Sequence, residues 1–191
     1  MRGTWLRHLL CFAALAFPTS MRPNGAEAEA IRFVEQLGGV ILRNDQKPGK
    51  PVMEVGLTGA DLTDDGVAEL AGLKALTSLR IGATGITDEG LKHLAGMTAL
   101  TELNIGETRI TDAGLKHLAP LTALTRLDVR RTRVKDSGLN SIGELKNLTA
   151  LVLTATEITD DGLAVATWKS GPHGGWPACG PIRRGGSRDR R

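Results

Sequence analysis

The sequence predicts an α/β solenoid in which short helices alternate with the strands of one parallel sheet. The first observation is a 24-residue unit that follows itself without a gap at residues 62–85, 86–109, 110–133 and 134–157. The second is a change of apolar period within each unit, from helical to extended. Because so short a unit cannot bury its own apolar face, the units must stack into one continuous core.

The second unit shows how one coil of the solenoid is built. Leu91, Leu94 and Ala95 fall at positions i, i+3 and i+4, which predicts a short helix with one apolar face. Residues 102–104 then alternate polar, apolar and polar, as a half-buried strand requires. Each coil therefore consists of a strand, a turn, a helix and a second turn.

An aspartate and a glycine recur at fixed places in the units. We interpret the aspartates as N-caps, because each comes just before a predicted helix, where a carboxylate can accept backbone N–H groups. The glycines would let coils approach closely or let the backbone take an unusual turn. An alternative is that the stacked aspartates hold Ca²⁺, although the spacing typical of calcium-binding β-solenoids is missing. The residues are Asp64, Asp88, Asp112, Asp136 and Asp160, with Gly66, Gly90, Gly114, Gly138 and Gly162.

Each unit follows the pattern L-x-x-L-x-(L/I/V)-x-x-T-x-(I/V)-(T/K)-D-x-G, which resembles the leucine-rich repeat family over residues 52–162. The helical part is similar to that of secreted bacterial members. Threonines stand where the family commonly has Asn or Cys, and we expect their hydroxyls to bond to the backbone of the turn. The resemblance implies a right-handed solenoid with the sheet on its concave face and the helices on its convex face. It also implies a protein-interaction module, without naming the partner.

The segments before the repeats differ from them in composition. Residues 1–28 are predicted to be a signal peptide, because Arg2 and Arg7 precede the apolar run 9–17 and small residues follow at possible cleavage sites. We therefore expect an exported protein, periplasmic or extracellular. Residues 29–61 are predicted to form an N-terminal cap, with a helix over 30–42 and a first strand that begins at Val52.

Residues 62–166 hold four full repeats and one partial repeat, and residues 167–191 form a tail rich in Gly, Pro and Arg. That composition cannot bury a core and predicts disorder. The tail and the leader together carry more net positive charge than the whole chain, whose formal net charge is +3, so the repeats between them are net acidic. Nucleic-acid binding is therefore not expected. Three interpretations of the tail stay open: a genuine basic tail, a truncated or frame-shifted end, and an edge that recruits another chain.

The outward side chains of the predicted sheet are the expected contact surface, because the concave face is the default binding face in the family that the chain resembles. Arginine and carboxylate side chains dominate its middle, and arginine is enriched at binding hot spots. We predict that a protein or peptide binds this cluster with low to moderate affinity, since no aromatic anchor is present. The alternative is a surface that contacts only water. The predicted binding residues are Arg80, Glu102, Asn104, Arg126, Asp128 and Arg130.

The sequence lacks the parts that other classes of function need. His93 and His117 have no nucleophile beside them, and Ser78 has no base at evident reach, so catalysis is not expected. No zinc spacing or phosphate loop occurs, and we expect no metal and no cofactor. After residue 17 no apolar run approaches the length of about 20 residues that a membrane helix needs. Self-assembly through the partial repeat at the C-terminal edge is the second candidate function.

Overall fold

The computed structural model describes residues 25–165, whose strands form one six-stranded sheet joined by short helices. The helices are α1 (Gly25–Gln36), α2 (Asp64–Glu69), α3 (Asp88–Leu94), α4 (Asp112–Leu115), α5 (Gly138–Ile142) and α6 (Asp160–Val165). The strands are β1 (Val40–Arg43), β2 (Val52–Gly56), β3 (Ser78–Arg80), β4 (Glu102–Asn104), β5 (Arg126–Asp128) and β6 (Ala150–Val152). Most of the predicted signal peptide and the whole predicted tail lie outside the described residues.

The sheet follows the order of the chain from β1 to β6. Strands β2 to β6 are parallel, and their central residues Val55, Leu79, Leu103, Leu127 and Leu151 are aligned in one row across the sheet. Equivalent residues of successive repeats therefore lie side by side. This register confirms the predicted α/β solenoid of parallel strands and short helices.

The core is a continuous stack of aliphatic side chains to which every repeat contributes. Leu91 and Leu94 of α3 are fully buried, as are Leu100, which precedes β4, and Leu103, which lies within it. The next repeat places the equivalent residues directly beside them, so each coil covers the apolar surface that its neighbour leaves open. Burial of aliphatic side chains, at about 25 cal/mol per Å² of apolar surface, is the main stabilising term of this arrangement.

The helix predicted over residues 30–42 is present only as far as Gln36, and the prediction is wrong for residues 37–42. Helix α1 begins at Gly25, inside the segment assigned to the signal peptide, and ends at Gln36. Gly38 then adopts a left-handed conformation with φ of 68°, a common way for a helix to end because glycine has no Cβ to clash. The apolar positions after Gly38 therefore belong to a different element.

That element is β1, an antiparallel strand at the edge of the sheet. Gly39 leads into it at a point without space for a side chain, since a Cβ there would lie 2.6 Å from side-chain atoms of Leu57 and Val34. β1 then pairs with β2. The sheet consequently has six strands among the described residues where the sequence predicts five, while the strand predicted from Val52 is confirmed as β2.

The recurring aspartates connect neighbouring coils, and our interpretation of them as N-caps is wrong. The threonine before each aspartate is the N-cap of α2, α3 and α4, and these are Thr63, Thr87 and Thr111. The carboxylate of Asp64 instead reaches the next coil. There it accepts hydrogen bonds from the N–H and the hydroxyl of Thr87, both at 2.7 Å, and from the N–H of Gly90 at 3.1 Å.

The same contact recurs along the solenoid, and we name it the Asp–Thr ladder. Asp88 accepts from the N–H and hydroxyl of Thr111 at 2.8 and 2.6 Å, and Asp136 accepts from those of Thr159, both at 2.7 Å. The Thr159 backbone N–H, followed by its hydroxyl, lowers the pKa of the Asp136 carboxyl below its usual value. Oxygens that accept these bonds have fewer lone pairs left for a cation, which argues against the Ca²⁺ alternative.

One step of the Asp–Thr ladder uses a different donor. Lys135 stands where the other repeats have threonine. Asp112 still accepts from the backbone N–H of Lys135 at 2.8 Å, and the hydroxyl of Ser137 donates to its second oxygen. The serine thus replaces the missing threonine hydroxyl, and the contact between coils is preserved.

The recurring glycines leave space for the Asp–Thr ladder, so the predicted close approach of coils is confirmed. A Cβ on Gly90 would lie 2.6 Å from Oδ1 of Asp64, and a Cβ on Gly138 would lie 2.5 Å from Oδ1 of Asp112. Both distances are far below van der Waals contact. Neither glycine has a positive φ, so glycine is required here for space and not for backbone conformation.

Two columns of threonine stabilise the turns on either side of the strands. Thr84 and Thr108 are buried and donate to the backbone carbonyl three residues earlier, at 2.7 and 2.6 Å, as predicted. Before the strands, Thr101 donates to the carbonyl of Thr77, and Thr125 donates to that of Thr101, both at 3.0 Å. The second column joins adjacent coils and adds to the Asp–Thr ladder.

We expect Gly90→Ala to destabilise the fold by about 2 to 4 kcal/mol, because the added Cβ displaces a carboxylate that accepts three hydrogen bonds. Helix propensity alone predicts the opposite sign, since alanine in a helix is favoured over glycine by about 1 kcal/mol. The measurement is the free energy of unfolding in urea.

The control is Gly96→Ala in the same repeat, where no atom lies within 4 Å of the added Cβ. We expect that variant to stay within about 0.5 kcal/mol of the wild type. In an Asp64→Ala background, Gly90→Ala should lose most of its cost, because the displaced carboxylate is gone. An unchanged cost in that background would contradict the role given to the Asp–Thr ladder.

Candidate functional site

The outward side of the sheet, which we call the concave face, presents two rows of side chains. The central residue of each strand from β2 to β5 is buried in the core, so the residues on either side of it point outward. The strand register aligns these flanking residues across the sheet. One row consists of Leu42, Glu54, Ser78, Glu102, Arg126 and Ala150, and the other consists of Val40, Gly56, Arg80, Asn104, Asp128 and Val152.

Five of the six predicted binding residues lie in these two rows, and Arg130 follows directly after β5. Their shared surface results from the 24-residue register and not from proximity in sequence. Their role in binding stays a prediction. Their contacts differ, however, and separate the residues that shape the face from the residues that are open to a ligand.

Asn104 and Asp128 shape the turns at the ends of their strands. Oδ1 of Asn104 accepts a hydrogen bond from the N–H of Gly106 at 3.0 Å, and Oδ1 of Asp128 accepts one from the N–H of Arg130, also at 3.0 Å. A side-chain oxygen that bonds two residues ahead stabilises a turn locally. Both residues therefore have structural roles, whatever else they contact.

The arginines do not form the single cluster that the sequence predicts. Arg80 pairs with Glu54, with 3.6 Å between guanidinium and carboxylate. Arg130 lies 3.6 Å from the carboxylate of Asp128 and 3.9 Å from that of Glu107. The charges thus divide into one pair near the N-terminal edge and one network beyond β5. The network forms because the turn after β5 brings Arg130 back towards the carboxylate of Asp128.

Glu102 and Arg126 are different, because neither side chain makes a hydrogen bond or an ion pair with the rest of residues 25–165. They are direct neighbours across β4 and β5. Glu102 is half-buried and Arg126 is exposed. Opposite charges with unused donors and acceptors thus lie side by side in the middle of the concave face.

The sequence analysis missed the apolar edge of the concave face. Val40 and Leu42 of β1 are 63% and 52% exposed, and they are the exposed large hydrophobic residues of the described part of the chain. The register places Leu42 beside Glu54 and Val40 beside Gly56. The available signal was the aliphatic run Val40, Ile41 and Leu42 directly after two glycines, but it was assigned to a helix.

A shallow groove runs along the turns that follow the strands, beside the concave face. Arg109, Arg131 and Arg133 line it together with Glu107 and Glu157. Arg131 pairs with Glu107, and Lys135 pairs with Glu157, both at 3.3 Å. Three arginines against two glutamates give the lining of the groove a net charge of +1.

Residues 25–165 contain no group of three or more His, Cys, Asp or Glu side chains placed to hold a metal ion. The same residues include no helix with the length and apolarity that crossing a bilayer requires. His93 is exposed on α3 and His117 is half-buried in the 3₁₀ turn Lys116–Leu118, one coil further on.

Comparison with known proteins identifies the class. The family described as Leucine Rich repeat matches residues 73–95, 96–119 and 144–165. An internalin from Listeria monocytogenes is 33% identical over 53% of this chain and 29% of its own length, with a TM-score of 0.46. The leucine-rich repeat ectodomain of the receptor kinase SOBIR1 from Arabidopsis thaliana is 12% identical over 75% of this chain and 89% of its own length, with a TM-score of 0.51.

The chain contains leucine-rich repeats, as its repeat pattern, its sheet register and the family match over residues 73–95, 96–119 and 144–165 agree. Such domains are typically protein-interaction modules and usually have no catalytic activity. The chain spans less than a third of the internalin's length. No curated protein matches the sequence.

We expect Asp128→Ala to destabilise the fold by about 1 kcal/mol, because it removes the acceptor of the Arg130 N–H and a partner of its guanidinium. Arg126→Ala on the same strand should stay within about 0.5 kcal/mol of the wild type, since Arg126 has no partner within residues 25–165. Urea unfolding of both variants measures the difference. Equal losses would contradict the turn-stabilising role of Asp128.

Proposed function

We propose that this chain is a non-catalytic interaction module that binds a peptide or protein through its concave face. The observation that supports it is the unpaired Glu102 and Arg126 side chains at the centre of that face. Charged side chains without intramolecular partners can pair with a ligand without first breaking a contact. The half of the face nearest the N-terminus adds exposed apolar surface, which binding could bury.

The size of the face fits a short extended segment or one lobe of a protein. Six strands spaced by about 4.8 Å make a sheet about 24 Å wide. The backbone groups inside the sheet already pair with neighbouring strands, so a partner would contact side chains. Because no aromatic residue lies in either row, we expect low to moderate affinity.

The proposal of a non-catalytic role rests on the chemistry of the described surface. Its charged residues pair with each other, accept hydrogen bonds from backbone and hydroxyl groups, or stand alone, and none of the hydroxyl hydrogen bonds within residues 25–165 involves a histidine. If the purified chain turned over a substrate and a concave-face variant lost that turnover, the non-catalytic role would be refuted.

We further propose that the protein is exported. The support is the basic and apolar leader at residues 1–28. The test is the intact mass of the chain in the exported fraction of producing cells, which should correspond to loss of the leader. Retention of the uncleaved chain inside the cell would refute export.

The binding test uses a displayed library of random twelve-residue peptides, selected on the full chain. We expect the selected peptides to lose about tenfold in affinity, or about 1.4 kcal/mol, when Glu102→Ala and Arg126→Ala are combined. Unfolding in urea should be nearly unchanged, so the loss reports binding and not folding. The readout is the dissociation constant by calorimetry or fluorescence anisotropy.

The matched control combines Glu144→Ala with Lys146→Ala, which also removes one acid and one base. Both residues are exposed in the turn after α5, away from the concave face. We expect unchanged peptide affinity there. If no peptide is enriched, or if both double variants bind alike, the concave face contacts only water and the proposal is wrong.

Self-association through β6 is a second candidate function. Leu151 and Leu153 are only half-buried, whereas their equivalents one coil earlier, Leu127 and Val129, are fully buried. Another copy stacked on this edge would bury them. Sedimentation should then give a mass that rises with concentration, and Leu153→Asp should abolish the rise. A constant monomer mass would exclude this function.

A further inference from the structure

Ser78 is the one buried side chain of residues 25–165 whose polar atom has no hydrogen-bond partner. It is 5% exposed and is the first residue of β3. Buried hydroxyls nearly always have a partner, because leaving one unpaired costs free energy. An unpaired hydroxyl in the binding face therefore points to a partner that the isolated chain does not supply.

Two carboxylates flank this hydroxyl on the concave face. The register places Glu54 on one side of Ser78 and Glu102 on the other, each about 4.8 Å away along the row. Glu102 has no ion-pair partner among the described residues. Glu54 pairs with Arg80 at 3.6 Å, and both side chains are strongly solvated, at 40% and 57% exposure. Glu54 and Glu102 thus offer two carboxylates to a cation over Ser78, while Arg80 beside Glu54 and Arg126 beside Glu102 balance the charge of the wider face.

A basic side chain matches this site better than a metal ion or a neutral group. An ammonium or guanidinium group carries several N–H donors, so it can contact both carboxylates and donate to the Ser78 oxygen at once. Only two carboxylates and one hydroxyl meet here, and no metal-binding group of three acidic or histidine side chains occurs in this part of the chain.

An apolar surface lies directly beside the acidic site. Leu42 is the register neighbour of Glu54, and Val40 is the neighbour of Gly56. Gly56 carries no side chain, so the face is lowest there, between exposed Val40 and Arg80. An aliphatic or aromatic side chain could rest in this depression and cover both exposed residues.

We propose that the partner is a protein segment in extended conformation that carries a lysine or arginine two to four residues from a large apolar residue. The basic side chain docks over Ser78 between Glu54 and Glu102, and the apolar side chain packs on Val40 and Leu42. The two sites are about 10 Å apart, two strands along the row, and an extended chain advances about 3.3 Å per residue. This inference rests on the proposed function of the concave face and specifies its partner.

The test determines the sequences of the peptides selected on the full chain and measures their affinities for single and double variants of it. Enriched peptides should combine a basic and a large apolar residue at the stated spacing. We expect Glu54→Gln with Glu102→Gln to weaken binding about tenfold, and Leu42→Ser about fivefold. The matched control, Glu69→Gln with Glu144→Gln, changes two exposed carboxylates away from the concave face and should leave affinity unchanged.

Ser78→Ala separates a binding role from a structural one. We expect the urea midpoint to rise, because an unpaired buried hydroxyl is removed, while peptide affinity falls severalfold. A lower midpoint or an unchanged affinity would show that the hydroxyl does not serve a ligand, and would overturn the inference.

The remaining outcomes distinguish this inference from the broader proposal. If affinity falls with Arg126→Ala but not with the Glu54, Ser78 and Leu42 variants, the concave face binds its partner and the inference is wrong. If affinity falls with none of them, both are wrong. If peptides bind only after residues 166–191 are removed, or compete with a second copy of the chain, the occupant is the chain itself and the inference is also wrong.

Discussion

The Asp–Thr ladder is the contact on which the rest of the structure depends. Each carboxylate accepts hydrogen bonds from the backbone and side chain of the following coil, and so sets the distance and rotation between coils. Gly90, Gly114, Gly138 and Gly162 are needed because a side chain there would collide with the aspartate carboxylate of the preceding coil. At the step where threonine is replaced by Lys135, Ser137 supplies the hydroxyl. Apolar burial is non-directional and does not by itself determine how one coil is oriented on the next. The hydrogen bonds of the Asp–Thr ladder determine that orientation.

A fixed relation between coils determines which side chains meet on the concave face. The strands align without any shift from β2 to β6, so residues 24 positions apart become neighbours. Each repeat can then vary the outward residues of its strand without disturbing the core. Within this face, Asn104 and Asp128 stabilise turns and the pair Arg80–Glu54 is satisfied internally, whereas Ser78, Glu102 and Arg126 keep unused bonding capacity. The difference between satisfied and unsatisfied groups is what gives a charged surface a candidate role in binding.

The antiparallel strand β1 changes the character of the face at its N-terminal edge. It adds Val40 and Leu42, both largely exposed, beside the acidic positions of β2 and β4. Apolar and charged groups placed together favour a partner that offers both, and they make specificity depend on two unlike contacts. Without β1 the concave face would be polar from end to end, apart from Ala150 and Val152 at the opposite edge. The segment before the repeats thus adds apolar side chains to the concave face as well as covering the core.

The sequence alone determined the repeat length, the order of helix and strand, the rows of outward residues and the need for glycine beside the aspartates, because all of these follow from periodicity. It did not determine the partner of each side chain. Whether Asp64 capped its own helix or reached the next coil, and whether Arg126 or Arg130 paired with Asp128, depended on distances between residues far apart in sequence. It also misled over residues 37–42, where a near-helical spacing of apolar residues concealed the glycine turn and β1. Only the tertiary structure decided these points, since close packing selects one of several locally acceptable arrangements.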